Sequence, residues 1–218
     1  MALRLAGNDV VDLGDPANAG AHERGRFVER VCGDRERAAL AASSDPAGLL
    51  WSFFAAKEAA FKVACKLGSR PVFAHRRFLV EPSLTSVQHD GRTLRLSIER
   101  QGERIHAVAW TCGEPPLAIA ASVSESDDLG RAARRLLVTS LARSFRCSAA
   151  MLAVVRNVEP EAWDDLGPPR LLRYGKPLDV DVSLSHDGRF VAFAACLPGA
   201  PPYPKRTVAP SARPHEAH

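Results

Sequence analysis

Helical and alternating hydrophobic patterns divide this chain into two blocks. In the first block, apolar residues three and four positions apart predict helices in HERGRFVERV, DRERAALAAS and LLWSFFAAKEAAFKVACKL. The opening LAGNDVVDL predicts a short strand, and alternation between Arg76 and Ser124 predicts the strands RRFLVEP, RTLRLSIE, RIHAVAW and LAIAASV. The second block begins with the amphipathic helix LGRAARRLLVTSLARSF and ends in the strands VDVSLSH and RFVAFAAC.

This order predicts an α+β fold of two similar halves, each a small antiparallel sheet packed with a long helix. A polar run from Ser124 to Asp128 separates the blocks, so we assign residues 1–127 to the first half and 128–197 to the second. Residues 198–218 are rich in proline and lack hydrophobic periodicity. We therefore expect this tail to be disordered.

Composition favours a soluble cytoplasmic protein. Of the 218 residues, 46% are hydrophobic and 25% are charged, which is typical of globular proteins. No apolar run approaches the roughly 20 residues that span a membrane, and no export signal is apparent at the N-terminus. The five cysteines are odd in number and form no C-x-x-C pair, so we expect reduced thiols and neither a disulfide framework nor a zinc site.

The net charge of +4 favours an anionic partner. Arginines cluster at residues 131–135 and 70–77, but aromatic residues do not alternate with them as they do in many single-strand nucleic-acid binders. We therefore expect no nucleic-acid partner. A basic nucleic-acid-binding module remains an alternative.

Glu58 and Lys62 lie four residues apart on the longest predicted helix and so share one face. They could form an ordinary surface ion pair. However, the residues around them are almost all apolar, which indicates a helix buried over most of its circumference. An enclosed carboxylate needs a cation or hydrogen-bond donors, and Lys62 or a metal ion could serve.

Asp9 and Asp12 belong to the opening strand, in GNDVVDLGDP. Because they are three residues apart on a strand, they face opposite sides and cannot both serve one centre. They could be solvated acids at a strand end. An Asp from a strand and a Glu from a buried helix would also supply oxygen ligands suited to Mg²⁺, which commonly takes one or two protein carboxylates.

Two segments share the tetrapeptide His-Asp-Gly-Arg: SVQHDGRTLRL and SLSHDGRFVAF. Asp-Gly between alternating runs predicts a hairpin turn in both places. Only the second copy has Ser183 and Ser185 on one face of the strand and His186 at its end. A Ser-His nucleophilic pair is not expected, because adjacent strand residues point apart and no G-x-S-x-G turn is present.

Three of these segments, taken in order, resemble motifs of the 4′-phosphopantetheinyl transferase superfamily. GNDVVDL resembles its Gly-x-Asp strand, WSFFAAKEAAFK its aromatic, Lys-Glu and Lys helix, and SLSHDGRFVAFA its Ser-His-x-Gly-Arg strand. Residues 5–124 are similar to the C-terminal half of a surfactin-type member, and residues 131–196, with YGKP, to its N-terminal half. The chain therefore resembles a surfactin-type enzyme with its halves in exchanged order.

The resemblance implies transfer of phosphopantetheine from coenzyme A to a serine of an acyl or peptidyl carrier protein, with release of 3′,5′-ADP. It implies that Asp9 and Glu58 bind Mg²⁺, and that Glu58 and Lys62 are catalytic. It assigns the coenzyme phosphates to the second half, at Arg134, Lys176, Ser185 and His186.

The chain departs from the surfactin-type pattern at Val11, where those members carry an acid, and at Asn8, which replaces the usual apolar residue. Two halves in one chain imply a monomer, and no membrane partner is expected. A coenzyme A or carrier-domain binding protein without catalysis is the alternative on the same fold.

Overall fold

The computed structural model describes residues 3–68, 74–124, 128–159 and 166–198. The tail that we predict to be disordered lies outside these ranges from residue 199 onward. Within them, no helix is both long and apolar enough to cross a membrane.

The helices and strands follow the predicted order closely, with three strands beyond those predicted, at 86–89, 152–155 and 170–173. The helices are α1 (Gly25–Val31), α2 (Asp34–Ala42), α3 (Pro46–Lys66) and α4 (Leu129–Ser144). The strands are β1 (Ala6–Asp12), β2 (Leu79–Val80), β3 (Ser86–His89), β4 (Arg92–Gln101), β5 (Arg104–Trp110), β6 (Leu117–Ser122), β7 (Leu152–Val155), β8 (Arg170–Arg173), β9 (Lys176–Asp187) and β10 (Phe190–Cys196).

Two five-stranded antiparallel sheets form the two halves, in the orders β1-β5-β4-β3-β2 and β6-β10-β9-β8-β7. The second order repeats the first with every strand number raised by five, and α3 and α4 pack on the first and second sheets respectively. The predicted fold of two similar α+β halves is therefore confirmed.

The position of β6 differs from the sequence-based assignment, which places it at the end of the first half. Its hydrogen bonds join it to β10, so it is the first strand of the second sheet and not the last strand of the first. Alternation predicts that a segment is a strand, but it does not reveal which sheet edge the strand joins.

Helix α3 is the centre of the first half. Asp45 caps its N-terminus by accepting a hydrogen bond from the Gly48 amide, and Pro46 occupies its first turn. Its side chains are buried around most of the helix, and Lys57 is completely buried with its ammonium 2.6 Å from Glu36 Oε2. The enclosure predicted from the apolar flanks is confirmed.

β1 lies directly against α3 because residue 7 is a glycine. A Cβ atom built at Gly7 would lie 2.0 Å from the Ala59 carbonyl oxygen and 3.1 Å from Lys62 Cβ. No larger side chain fits at this spacing. The glycine of the Gly-x-Asp motif is therefore required for contact between this strand and the helix that carries Glu58.

The outer edge of β1 forms hydrogen bonds with side chains of β9 and not with the backbone of another strand. Ala6 N–H donates to Asp181 Oδ2 at 2.7 Å, Asn8 N–H to Ser183 Oγ at 3.0 Å, and Asp12 N–H to Asp187 Oδ2 at 2.8 Å. Each bond joins residues 175 positions apart, so the two strands run side by side in the same direction. We call these contacts the β1–β9 ladder.

Three side-chain donors bind the carbonyl groups on the same edge. Lys66 donates to Ala6 O at 2.7 Å, Lys62 to Asn8 O at 2.8 Å, and Asn18 to Asp12 O at 2.8 Å. Lys66 also donates to Asp181 and to the Val182 carbonyl, so it bonds both halves. At Ala6, Asn8 and Asp12 the backbone groups of this edge are thus paired with side chains and not with the backbone of another strand.

The two His-Asp-Gly-Arg segments form hairpins, as predicted, but at different corners and in different registers. In the first, Asp90 and Gly91 form the turn with φ values of 46° and 73°, between β3 and β4. In the second, Gly188 and Arg189 form the turn between β9 and β10, one residue later in the motif. The carboxylate of Asp187 is hydrogen-bonded to β1, and this contact favours the shifted turn.

Replacing Gly7 with alanine should destabilise the protein by roughly 1–3 kcal/mol, because the added methyl overlaps the α3 backbone. The matched control is Gly25→Ala, where an added Cβ meets nothing within 4 Å. Thermal unfolding followed by circular dichroism measures both. A Gly7→Ala melting temperature equal to that of Gly25→Ala would contradict the close packing.

Candidate active site

The site lies where β1 and α3 of the first half meet the β9–β10 hairpin of the second. β1 is buried on both faces, because Gly7 and Asp9 face α3 while Ala6 and Asn8 face the second half. Asp9 therefore points to the helix face that carries Glu58 and Lys62. All three residues come from the two motifs whose spacing suggested a shared site.

Asp9 is 15% exposed and its Oδ1 accepts a hydrogen bond from Lys62 Nζ at 3.1 Å. Burial raises the pKa of Asp9 above its usual range, Lys62 opposes that rise, and the charge of Asp187 adds to it. Lys62 thus pairs with Asp9 and not with Glu58, its neighbour four residues earlier on the helix. The surface ion pair considered from the sequence is not formed.

Glu58 is partly buried on the accessible side of α3. Its pKa is raised to about 7, mainly by burial and in addition by the nearby charge of Asp9, while Lys62 opposes the rise. Among the described residues no side chain or backbone amide donates a hydrogen bond to this carboxylate. A buried carboxylate next to a second carboxylate is stabilised by a cation or by a proton.

The donor set of Asp9 and Glu58 fits a hard divalent cation. Their oxygens are the ligand type that Mg²⁺ prefers, and that ion commonly leaves several positions for water and phosphate oxygens. No group of three or more His, Cys, Asp or Glu side chains in the described ranges is arranged to hold a metal ion. Any such ion would therefore have two protein carboxylates and an otherwise open coordination sphere.

The second half contributes His186 and Asp187 to this location. Both are close enough to affect the pKa of Asp9, which Asp187 raises and His186 lowers. Asp187 was not identified from the sequence. It shares strand parity with Ser183 and Ser185, and this parity, together with the β1–β9 ladder, is the signal that could have identified it.

Ser185 and His186 have different surroundings. His186 is exposed, whereas Ser185 is 6% exposed and its hydroxyl accepts a hydrogen bond from Asn8 Nδ2 at 2.8 Å. The structure therefore directs the Ser185 side chain to β1. Binding of coenzyme phosphate by Ser185 stays a prediction.

Among the described residues, no hydrogen bond or ion pair joins Arg134 or Lys176 to Asp9 or Glu58, and binding of coenzyme phosphate by these two residues stays a prediction. Arg134 is exposed near the start of α4, and Lys176 is exposed at the start of β9. Ten residues of one strand separate Lys176 from His186, a span of up to about 33 Å. Lys176 and His186 would have to contact different parts of an extended ligand.

Asp12 is a structural residue that joins the two halves. It is 1% exposed, and Arg189 donates to it from Nε at 2.8 Å, from Nη2 at 2.5 Å and from the backbone amide at 3.0 Å. These hydrogen bonds lower the pKa of Asp12 to about 2, with the Arg189 side chain as the main cause. The alternative of a solvated acid is therefore wrong for this residue.

Glycine is required at the β9–β10 turn for the same contact. Gly188 has φ of 49°, and an added Cβ would lie 2.5 Å from Asp12 Oδ2. Arg189 also donates to Glu103 at 2.7 Å, at the equivalent β4–β5 turn of the first half. The two hairpin tips thus meet at the interface between the halves.

The internal repeat does not create a second site. Asp12 faces Arg104 after the β4–β5 turn, and Ser122 faces Phe190 after the β9–β10 turn. Counting back three residues from each makes Ile119 the counterpart of Asp9. Because an isoleucine cannot ligate a metal, only one of the two equivalent positions has this chemistry.

Comparison with solved structures finds a crystal structure of Thermotoga maritima holo-[acyl-carrier-protein] synthase, with 16% identity over 79% of this chain and 83% of that chain and a TM-score of 0.34. Curated proteins gave no match. Residues 6–120 match the profile of the 4′-phosphopantetheinyl transferase superfamily. This match begins at β1, ends within β6 and includes Asp9, Glu58 and Lys62. Because it covers more than half of the chain, the protein belongs to the 4′-phosphopantetheinyl transferase superfamily.

Proposed function

We propose that this protein transfers 4′-phosphopantetheine from coenzyme A to a serine of an acyl or peptidyl carrier protein in a Mg²⁺-dependent reaction. The observation that carries the proposal is the proximity of Asp9 and Glu58, two carboxylates whose pKa values burial raises, with the charge of Asp9 adding to the rise at Glu58. The superfamily match supplies the reaction class. A monomeric, cytoplasmic, surfactin-type enzyme with exchanged halves stays part of this proposal.

In this reaction the carrier serine oxygen forms a bond to the phosphorus on the pantetheine side of the pyrophosphate. The bond from that phosphorus to 3′,5′-ADP breaks, and ADP leaves with its electron pair. Phosphoryl transfer depends mainly on positioning and neutralisation of charge. A Mg²⁺ ion held by Asp9 and Glu58 would neutralise the pyrophosphate when bound.

The protein side chains then have distinct tasks. Glu58, or a water beside it, takes the serine proton. Lys62 has its ammonium on Asp9 and can turn to a phosphate oxygen, because its side chain is 30% exposed. His186 is exposed beside Asp9 and can donate a hydrogen bond to phosphate.

A non-catalytic coenzyme A or carrier-domain binding protein would use the same fold. The Glu58 carboxylate argues against it, because binding an anionic ligand does not require an unpaired acid at the site. Calorimetry with coenzyme A in the presence and absence of Mg²⁺ separates the two. A pure binding protein should show no turnover with any carrier.

Incubation with coenzyme A, Mg²⁺ and a panel of apo carrier proteins should add one phosphopantetheine group to at least one carrier, as measured by intact mass spectrometry. Glu58→Gln should lower the rate by at least about a hundredfold, the usual contribution of a proton-transfer group. Glu114→Gln, at an exposed position, is the control and should keep full activity. Absence of transfer to every carrier would contradict the proposed function.

The contribution of Glu58 to the stability of the metal-free protein should fall as pH rises from about 5 to 8. His75 and His106 act in the opposite direction below about pH 6.5, because burial lowers the pKa of each ring from 6.5 to about 4. The difference between the wild type and Glu58→Gln isolates the contribution of Glu58. The folded-state pKa of Glu58 is about 7 and its ordinary value is 4.5, so folding favours the protonated form, and this stabilisation is lost as pH rises through 7. Asp9 acts in the same direction. The loss should be roughly 1–3 kcal/mol, or several degrees in melting temperature.

Melting curves in EDTA test this directly. The melting temperature of the wild type minus that of Glu58→Gln should decrease between pH 5 and 8. Added Mg²⁺ should raise the wild-type melting temperature at pH 8 more than at pH 5.5, and should raise that of Glu58→Gln less. If the melting temperatures of the two proteins change in parallel with pH, Glu58 does not have the raised pKa on which this prediction depends.

His186→Ala should raise the KM for coenzyme A about tenfold with a smaller change in kcat, because a charge-assisted contact to the bound coenzyme is lost. His22→Ala is the matched control, since the recorded partner of that histidine is Glu23. Steady-state kinetics at saturating carrier protein measures both. An unchanged KM would exclude His186 from coenzyme binding.

A further inference from the structure

Asn8 makes a hydrogen-bond arrangement that its place in the Gly-x-Asp motif does not explain. The residue is completely buried, its Nδ2 donates to Ser185 Oγ at 2.8 Å, and the same atom lies 3.2 Å from His106 Nε2. Burial lowers the pKa of His106 to about 4, so the ring is neutral and Nε2 can accept. One amide group therefore contacts β5 of its own half and β9 of the other.

This arrangement leaves one polar atom without a partner. Asn8 Oδ1 is buried and accepts no hydrogen bond from the described residues. An unsatisfied buried acceptor destabilises a protein, and an apolar residue of the same size would avoid that loss. Stability alone therefore does not account for asparagine at this position. A buried polar residue can instead specify the register of two elements.

Asn8 fixes the register of β9 against β1 in the β1–β9 ladder. Its backbone amide bonds Ser183 and its side-chain amide bonds Ser185, so one residue fixes two successive ladder positions of β9. Asp187, the next position, is bonded by the Asp12 amide. His186 is thus held between two anchored neighbours, although its own side chain is exposed.

We propose that Asn8 is a positioning residue that anchors Ser185 to β1 and thereby fixes His186 relative to Asp9 and the bound coenzyme. The inference rests on the proposed function and deepens it, because it gives the Ser185 hydroxyl a role in positioning and not in phosphate binding. The metal ligands Asp9 and Glu58 are held by the first half alone. Loss of the anchor should therefore affect the coenzyme more than the metal ion.

Three variants test the proposal: Asn8→Leu, Ser185→Ala and the double variant. Titration calorimetry measures the affinity for coenzyme A in Mg²⁺ and, separately, for Mn²⁺ as a probe of the metal site. Asn8→Leu should weaken coenzyme A binding about tenfold while Mn²⁺ affinity stays within about twofold. The double variant should bind coenzyme A no more weakly than the weaker single variant, because both changes remove the same anchor.

A control separates positioning from general loss of stability. Val108 lies in the apolar part of the same interface, with Ala6, Trp110 and Ala194, and forms no ladder contact. Val108→Ala should lower the melting temperature without changing the affinity for coenzyme A. If it weakens binding as much as Asn8→Leu does, the effect of Asn8 is purely structural and the proposal fails.

Two further results would overturn the proposal. Wild-type affinity for coenzyme A in Asn8→Leu would show that the anchor is not needed. If the fold-losses of coenzyme A affinity in Asn8→Leu and Ser185→Ala multiply in the double variant, Ser185 contacts the coenzyme directly. If only the positioning role of Asn8 is wrong, the wild type still transfers phosphopantetheine. If the proposed function is wrong, the wild type shows no transfer to any carrier.

Discussion

The outer edge of β1, which has no backbone pairing to another strand, is the constraint on which the rest of the structure depends. An exposed strand edge carries backbone donors and acceptors that need partners, and most proteins pair it, cover it or charge it. Here Asp181, Ser183 and Asp187 accept its amides, and lysines from α3 donate to its carbonyls. Because these side chains are short and lie on one face of β9, each accepts from the β1 residue 175 positions earlier, and this fixes the register. The edge that must be satisfied is therefore also the element that aligns the two halves.

The chemistry of the site follows from this alignment. β1 presents Asp9 to α3 on one face and Asn8 to β9 on the other, so the same strand contributes to the proposed metal site and to the interface between the halves. Lys62 illustrates the coupling, since it binds both the Asn8 carbonyl and the Asp9 carboxylate. The negative charges of Asp9, Glu58 and Asp187 exceed the positive charge of Lys62 nearby. This excess favours a bound cation. Burial is the main cause of the raised pKa of Glu58, and the charge of Asp9 adds to it.

The hydrophobic pattern along the chain predicted most helices and strands. The features that it did not predict depend on contacts between residues far apart in sequence. Period and capping were enough for α3, for β1 and for the shared face of Glu58 and Lys62, since these depend on neighbours in sequence. The sheet that β6 joins, the Asp12–Arg189 contact and the role of Asn8 depend on residues about 70 to 180 positions away. The repeated His-Asp-Gly-Arg segment shows the limit clearly. The second and third residues of the motif form the turn in the first copy, whereas the third and fourth form it in the second copy, because only the second copy has β1 beside it.

The physical basis of the site also bears on the order of the halves. Every contact that joins Asp9 to the β9–β10 hairpin is non-covalent, and the chain connects the halves elsewhere, through the segment between Trp110 and Leu117. Exchanging the order of the halves would move this connection without changing the β1–β9 ladder. The register would then be set by Asn8, Asp12 and their serine and aspartate partners, as it is here. A site built on side-chain contacts between halves is therefore compatible with either order, whereas a site carried on the connecting segment would not be.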